Sequence, residues 1–280
     1  MKNKISNKKN FFSKLIIKII RKLGYEVIDQ ANLELPYINK NINENLSQSG
    51  YKSITIPLGT TDIKKKINSF TIIIRSYTFG DIKDTKVMLD QNKQRIFELP
   101  KIEYTLRTIK SIIRSCEYAK EFFKDLDIKI IVTDDKSTKD NIDKINKLLD
   151  STNINTQIIS LNESEFENEI QSKDINGHDI SKNMMSNMKN ILKSIEISQK
   201  ENSDLFYFLE DDYLHTKDAI TEMLFTYEKI SSQLNRELFL CPADYPYLYS
   251  TIDNTRLFFG NMSHWRTINE SLITFLTSKK

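Results

Sequence analysis

The 280-residue chain is predicted to be an α/β protein, a mostly parallel sheet flanked by helices, with a short amphipathic helix in front. Three observations predict this. From Phe70 onward, apolar β-branched runs too short for helices alternate with longer stretches of helical periodicity. Their order, strand, helix, strand, helix, strand, is that of parallel strands joined by crossovers. Three of the strands also end in polar, chemically capable residues, and open α/β sheets bind their ligands beyond such ends.

At 39% hydrophobic residues the chain has material for a real core. Its net charge of +3 conceals an asymmetry, because residues 1–24 hold eight Lys or Arg and no acid. Beyond them 33 basic residues face 38 acidic ones. An acidic body of this kind excludes a duplex-binding surface, so no nucleic-acid partner is expected. Two cysteines, Cys116 and Cys241, suit neither a disulfide framework nor a zinc site and point to a reducing compartment. Six glycines without phosphate-loop spacing argue against a P-loop.

In chain order, Phe11, Phe12, Leu15, Ile16, Ile19, Ile20 and Leu23 recur at helical spacing up to Gly24. Lys14 and Lys18 interrupt this stretch and no small-residue cleavage site follows, so neither a membrane span nor a secretory signal is expected. A basic amphipathic helix suits an anionic bilayer, and it equally suits packing on its own domain or on a partner subunit. Residues 1–24 are therefore an arm. Residues 25–68 read as a polar linker with a strand at 53–57, and residues 69–280 form the main domain.

Within that domain the pattern predicts strands at 70–75, 128–133 and 156–161, and helices at 104–124 and 140–149. A helix over 181–199 then feeds the run Leu205-Phe206-Tyr207-Phe208-Leu209, which ends in Glu210-Asp211-Asp212. A further helix at 217–234 and a strand at 238–241 follow. Three adjacent carboxylates repel one another unless a cation, a basic partner or water screens them, and hard oxygen donors suit Mg²⁺ or Mn²⁺. Period two places Glu210 and Asp212 on one side of the strand and Asp211 on the other. Asp212 is the first choice as a direct ligand. The alternative for these acids is a solvated strand end, or a negative cap on the helix that follows.

Residues 70–138 resemble the start of a GT-A glycosyltransferase of the family 2 type. The likeness lies in a strand, a Ser76-Tyr77 turn, a helix, a strand and then Val132-x-Asp134-Asp135-Lys136-Ser137-Thr138, where those enzymes often carry Val-x-Asp-Asp-Gly-Ser. Phe208 to Asp212 is similar to the metal-binding acidic motif of the same fold, and to the Glu-Asp-Asp motif of Golgi N-acetylglucosaminyltransferases. The resemblance spans roughly residues 70–245 and implies transfer of a sugar from a nucleoside-diphosphate donor, a UDP-sugar foremost, to a cell-surface glycan or lipid-linked acceptor. It further implies that Asp135 accepts a hydrogen from the nucleobase, that Tyr77 lies near base or ribose, and that Arg75 contacts the nucleotide. Lys182-Asn183 stands where the family often has an Arg-Asn pair near the diphosphate. Asp212 would hold Mn²⁺ or Mg²⁺, with Glu210 or Asp211 helping directly, through water, or via sugar hydroxyls.

For the acceptor's base, Asp244 is the candidate beside a plain turn role before Pro246. His264 is a candidate metal or phosphate ligand, and Trp265 a sugar-stacking platform. Two departures stand out: the segment from Thr78 to Pro100 is long and lacks the usual Asn after Tyr, and the chain ends soon after Arg266. The expected setting is cytoplasmic, peripheral on the inner membrane face. The rivals are a sugar-nucleotide nucleotidyltransferase, for which Ser76 to Lys83 lacks the Gly, Arg and Lys density, and a non-catalytic Mg²⁺-binding α/β domain.

Overall fold

A computed structural model describes residues 11–25, 53–56, 59–78, 100–162, 164–166, 168–173, 177–249 and 255–279. Helix α1 (Phe11–Lys22) precedes a hairpin of β1 (Ser53–Ile56) and β2 (Gly59–Asp62). The main domain then runs β3 (Ser69–Ser76), α2 (Lys101–Phe122), β4 (Asp127–Asp134), α3 (Lys139–Leu149), β5 (Asn155–Ser160), α4 (Lys182–Lys200), β6 (Leu205–Glu210) and α5 (Ala219–Leu234). It closes with a single 3₁₀ turn (Pro246–Tyr249), β7 (Leu257–Phe259), β8 (His264–Arg266) and β9 (Phe275–Ser278).

Five strands make the central sheet in the order β5-β4-β3-β6-β9, parallel except for β9. This is the mixed α/β architecture the alternation predicts, a mostly parallel sheet flanked by helices. Period two sorts the strand residues between two faces. Ile72, Ile74, Ile130, Val132, Tyr207 and Leu209 join the larger core with residues of α2, α3 and α5. Ile73, Ile131, Phe206 and Phe208 meet Ile197 of α4 on the opposite face. The chain thus winds outward through β4 and β5 with helices on one face. It then returns through α4 on the other to lay β6 against β3, which makes the β4-β3-β6 junction the topological switch point.

The helices start where side chains can satisfy their free N–H groups. Thr138 accepts from Asn141 N (3.3 Å) at α3, and Ser181 from Met184 N (3.2 Å) at α4. Pro100 precedes α2, and the helix therefore starts about a turn earlier than its apolar periodicity shows. α5 is buried on all sides from Ile220 to Ser232 and ends at Asn235 in the left-handed region (φ 50°).

Two expectations are corrected. The strand expected at 238–241 is a single bridge, Leu240 to Leu276, because the edge of β6 is already taken by β9, which the sequence did not suggest. Residues 63–68, grouped with the linker on polarity, are instead fastened to the domain. Lys64 N and Lys65 N donate to Ser232 Oγ (3.0 and 3.3 Å), and Asn68 N and Ser69 N to Asp204 Oδ2 (2.8 and 3.1 Å).

Ile67 N donates to Glu228 Oε1 (2.9 Å), and burial pushes the Glu228 carboxyl up from 4.5 to about 7 against that hydrogen bond and nearby Lys66. A carboxyl with a higher pKa folded than unfolded binds its proton more tightly in the native state, so stability falls as pH rises from 4.5 to 7 and then levels off. The difference amounts to about 3 kcal/mol. Urea unfolding at pH 5 and pH 8 should show this loss in the wild type and lose most of it in Glu228→Gln; equal pH slopes in the two proteins would refute it.

Candidate active site at the ends of three parallel strands

At the carboxyl edge of the sheet, β3 stands between the two acidic strand ends. Ser76 is in register with Asp134, and Arg75 with Glu210. With neighbouring strands about 4.8 Å apart, the two acidic ends lie about 10 Å from one another across β3, a span that a nucleoside diphosphate can bridge.

On the β4 side the two aspartates divide their work. Asp134 turns back on its own loop, accepting from Ser137 N (3.1 Å) and Ser137 Oγ (2.5 Å), while burial raises its pKa against those bonds. Asp135 instead accepts from Ser186 Oγ on α4, and its backbone N–H donates to Ser76 O (3.2 Å). Ser137 also accepts from Thr78 N (3.2 Å), tying this loop to the end of β3. Asn190 fastens the two strands from below: its Nδ2 donates to Ser76 O (3.2 Å) and Thr133 O (3.4 Å), and its Oδ1 accepts from Thr133 Oγ1 (2.5 Å). Lys182 and Asn183 form the first turn of this same helix.

On the β6 side Arg75 is almost fully buried, with Nη2 3.2 Å from Glu210 Oε1 and donating to Ile273 O (3.4 Å). Burial lowers the Arg75 pKa and raises that of Glu210, each opposed by the partner's charge. Asp211 points inward. Its Oδ1 is 2.6 Å from Lys101 Nζ, and its Oδ2 accepts from Thr105 Oγ1 (2.8 Å) and Tyr77 N (3.3 Å). Asp212 faces outward, its side chain 40% exposed and 3.8 Å from Lys101 Nζ.

This donor set sets limits on a metal. Among the described residues no three His, Cys, Asp or Glu side chains converge for an ion. Mg²⁺ and its like, however, are commonly held by one or two carboxylates while substrate phosphates and water complete the shell. Asp212, with Glu210 beside it, fits that shared arrangement, whereas both oxygens of Asp211 are already engaged.

The chain matches no protein-family model and no curated protein. Part of the chain is similar to two solved structures, among others. One is S. aureus TarS, at 12% identity over 57% of this chain and 20% of that one, with a TM-score of 0.33. The other is S. aureus TarS 1-349, at 11% identity over 57% of this chain and 32% of that one, with a TM-score of 0.31. The chain thus spans a third or less of the length of those proteins.

The remaining expected residues gather elsewhere. Asp244, His264 and Trp265 line a cavity of about 410 Å³ together with Asp218, Tyr249 and Arg266. Asp244 is paired with Arg266 Nη2 (2.9 Å) and accepts from the Tyr249 hydroxyl; the hydroxyl first, then the guanidinium, hold its pKa below the usual range. A carboxylate held this way keeps its negative charge more readily than a free one. The His264 ring packs on Phe259, with centroids 5.1 Å apart.

Sequence reasoning passed over the residue that shapes this wall. Glu222 of α5, buried, accepts from Asn261 N (3.1 Å), Met262 N (2.7 Å), Ser263 N (3.3 Å), Trp265 Nε1 (2.9 Å) and Thr226 Oγ1 (3.3 Å). It holds the β7–β8 turn onto the domain. Gly260 is required by close approach, since a Cβ there would lie 2.2 Å from Glu222 Oε1 and 2.6 Å from Trp265 Nε1. Lys101, Thr105, Ser186 and Asn190 were also passed over. Ser186, Asn190 and Ser194, buried at four-residue steps on α4, were a legible polar stripe.

Two measurements check this geometry. Lys136 adopts φ 65° where the resembled family often has Gly, so Lys136→Gly should raise stability by up to about 1 kcal/mol in urea unfolding. A loss would show that the side chain contributes more than the backbone strain costs. Glu222→Ala should cost about 2–3 kcal/mol by stranding several donors, and should red-shift the emission of Trp265, the chain's single tryptophan. Unchanged emission would free the turn from Glu222.

Proposed function

We propose that this chain is a metal-dependent glycosyltransferase that moves a sugar from a nucleoside-diphosphate donor, UDP-sugars foremost, to a cell-surface glycan or lipid-linked acceptor. One observation carries the proposal: Asp135 and the 210–212 carboxylates end the two strands that flank β3, at the switch point where open α/β sheets bind nucleotides.

The residues divide into roles on physical grounds. Asp134 is occupied by its own turn, which leaves Asp135, braced by Ser186, as the acceptor for a nucleobase N–H. Tyr77, its backbone fixed by Asp211, stands between the acidic ends for base or ribose. Lys182 and Asn183, in the first turn of α4, are assigned to the diphosphate.

Glycosyl transfer must stabilise negative charge developing on the diphosphate as the sugar leaves. Asp134, Asp135, Glu210, Asp211 and Asp212 outnumber Arg75 and Lys101 at this edge, so a bare diphosphate is repelled. A divalent ion on Asp212 and Glu210 would supply the missing positive charge as a Lewis acid. Lys101 adds a fixed cation beside it. The acceptor is assigned to the cavity walled by Trp265, Tyr249 and His264. Asp244, which lines that cavity, is the acid assigned to the acceptor hydroxyl as base.

Calorimetry with UDP, GDP and CDP, each with and without Mn²⁺, tests the proposal. At least one diphosphate should bind, more tightly with Mn²⁺. Asp212→Asn should remove the metal-dependent gain, and Asp135→Asn should weaken nucleotide binding roughly 10–100-fold with or without metal. A preference for triphosphates would favour nucleotidyl transfer, and indifference to all three would favour a non-catalytic domain.

A further inference from the structure

Among the described residues, Leu15, Ile16, Ile19 and Leu23 of helix α1 lie open to solvent. At 100° per residue, Phe12, Leu15, Ile16, Ile19 and Leu23 fall in one stripe about 100° wide. Leu15, Ile16, Ile19 and Leu23 are 47–69% exposed, whereas Ile17 and Ile20, outside the stripe, are partly sheltered. Lys14, Lys18, Arg21 and Lys22 occupy one flank of the stripe, an arc of about 100°, and all four are exposed. A row of large aliphatic side chains left in water is costly, and it marks a surface that docks on something.

Charge decides what. Residues 1–24 hold eight cations and no anion, while the remainder of the chain carries an acidic excess of five. Two such arms brought face to face would set like charges against one another, which disfavours a second copy as the occupant. A surface that is apolar at the depth of the stripe and anionic around it answers both features at once. The leaflet of a bilayer with anionic headgroups is such a surface. The helix is about 18 Å long, too short to cross a hydrocarbon core of about 30 Å. Among the described residues no helix is long and apolar enough to span.

We propose that α1 is an interfacial anchor that lies flat on an anionic membrane, its Leu15–Ile16–Ile19–Leu23 edge in the acyl boundary and its lysines on lipid phosphates. This surface is separate from the strand-end site and does not depend on the assignment of that site.

The full-length protein should co-sediment with vesicles of equal phosphatidylcholine and phosphatidylserine and remain in the supernatant with phosphatidylcholine alone. High salt should reverse binding. Lys14→Glu/Lys18→Glu should weaken it about tenfold or more, and Ile16→Asp/Ile19→Asp should abolish it. Circular dichroism and nucleotide calorimetry should be unchanged in both variants, which separates failure of the anchor from failure of the active site. Equal binding to neutral vesicles, or none to either, overturns the proposal. So does a wild-type oligomer that Ile16→Asp/Ile19→Asp dissolves while vesicle binding persists, since the stripe is then a subunit contact.

Discussion

The constraint on which this structure depends is the crowding of carboxylates at one sheet edge. Placing β3 between β4 and β6 brings five acids to the same end of three adjacent strands, with Arg75 and Lys101 set among them. The fold tolerates this by treating each acid differently. Asp134 is wrapped by its own turn, Asp135 is braced by Ser186, Glu210 leans on Arg75, and Asp211 is buried against Lys101 and Thr105. Burial also raises the pKa values of Asp134 and Glu210, opposed by the Ser137 hydrogen bonds in the one case and by the charge of Arg75 in the other. Asp212 is the most exposed of the 210–212 carboxylates, 3.8 Å from Lys101 Nζ.

The same edge shows how polar side chains hold parallel strands in register from the helix layer. α4 contributes Ile197 to the core below the sheet, but its buried stripe of Ser186, Asn190 and Ser194 does a different job. Asn190 satisfies carbonyls of both β3 and β4 where the strand ladders end, and Ser186, one turn nearer the helix start, reaches Asp135. Carbonyls at a strand end that water cannot reach need such partners. The helix therefore links the stability of the strand junction to the orientation of the aspartate beside it.

The strands and helices of the central domain were legible because each has a simple cause. Buried β-branched runs such as Ile72-Ile73-Ile74 and Ile130-Ile131-Val132 fit strands covered on both faces, and apolar residues at three- and four-residue steps mark α2 and α5. The acidic strand ends were legible because adjacent carboxylates are chemically conspicuous. What stayed hidden depends on partners distant in sequence. β9 is four residues, Phe275–Ser278, recognisable only once β6 offers it an open edge. Glu222 looks like an ordinary first-turn acid of α5, a favourable place for negative charge; its link to the 260–265 turn lies about 40 residues downstream. The long segment after Thr78, which lacks the usual Asn after Tyr, lies outside the described residues as far as Pro100.

Lys101 shows why the acidic run cannot be read as three equivalent ligands. It is the first residue of α2, where the helix dipole disfavours a cation. Asp211 at 2.6 Å and Asp212 at 3.8 Å offset that cost, placing negative charge against both the ammonium and the positive end of a 22-residue helix. Asp211 also receives Thr105 from the next turn of α2 and the backbone N–H of Tyr77. Drawing it away to hold an ion would give up its contacts with the Lys101 ammonium, the Thr105 hydroxyl and the Tyr77 amide together, a cost in stability by ordinary hydrogen-bond energies. Asp211 is therefore the joint that fixes α2 and the end of β3 to β6.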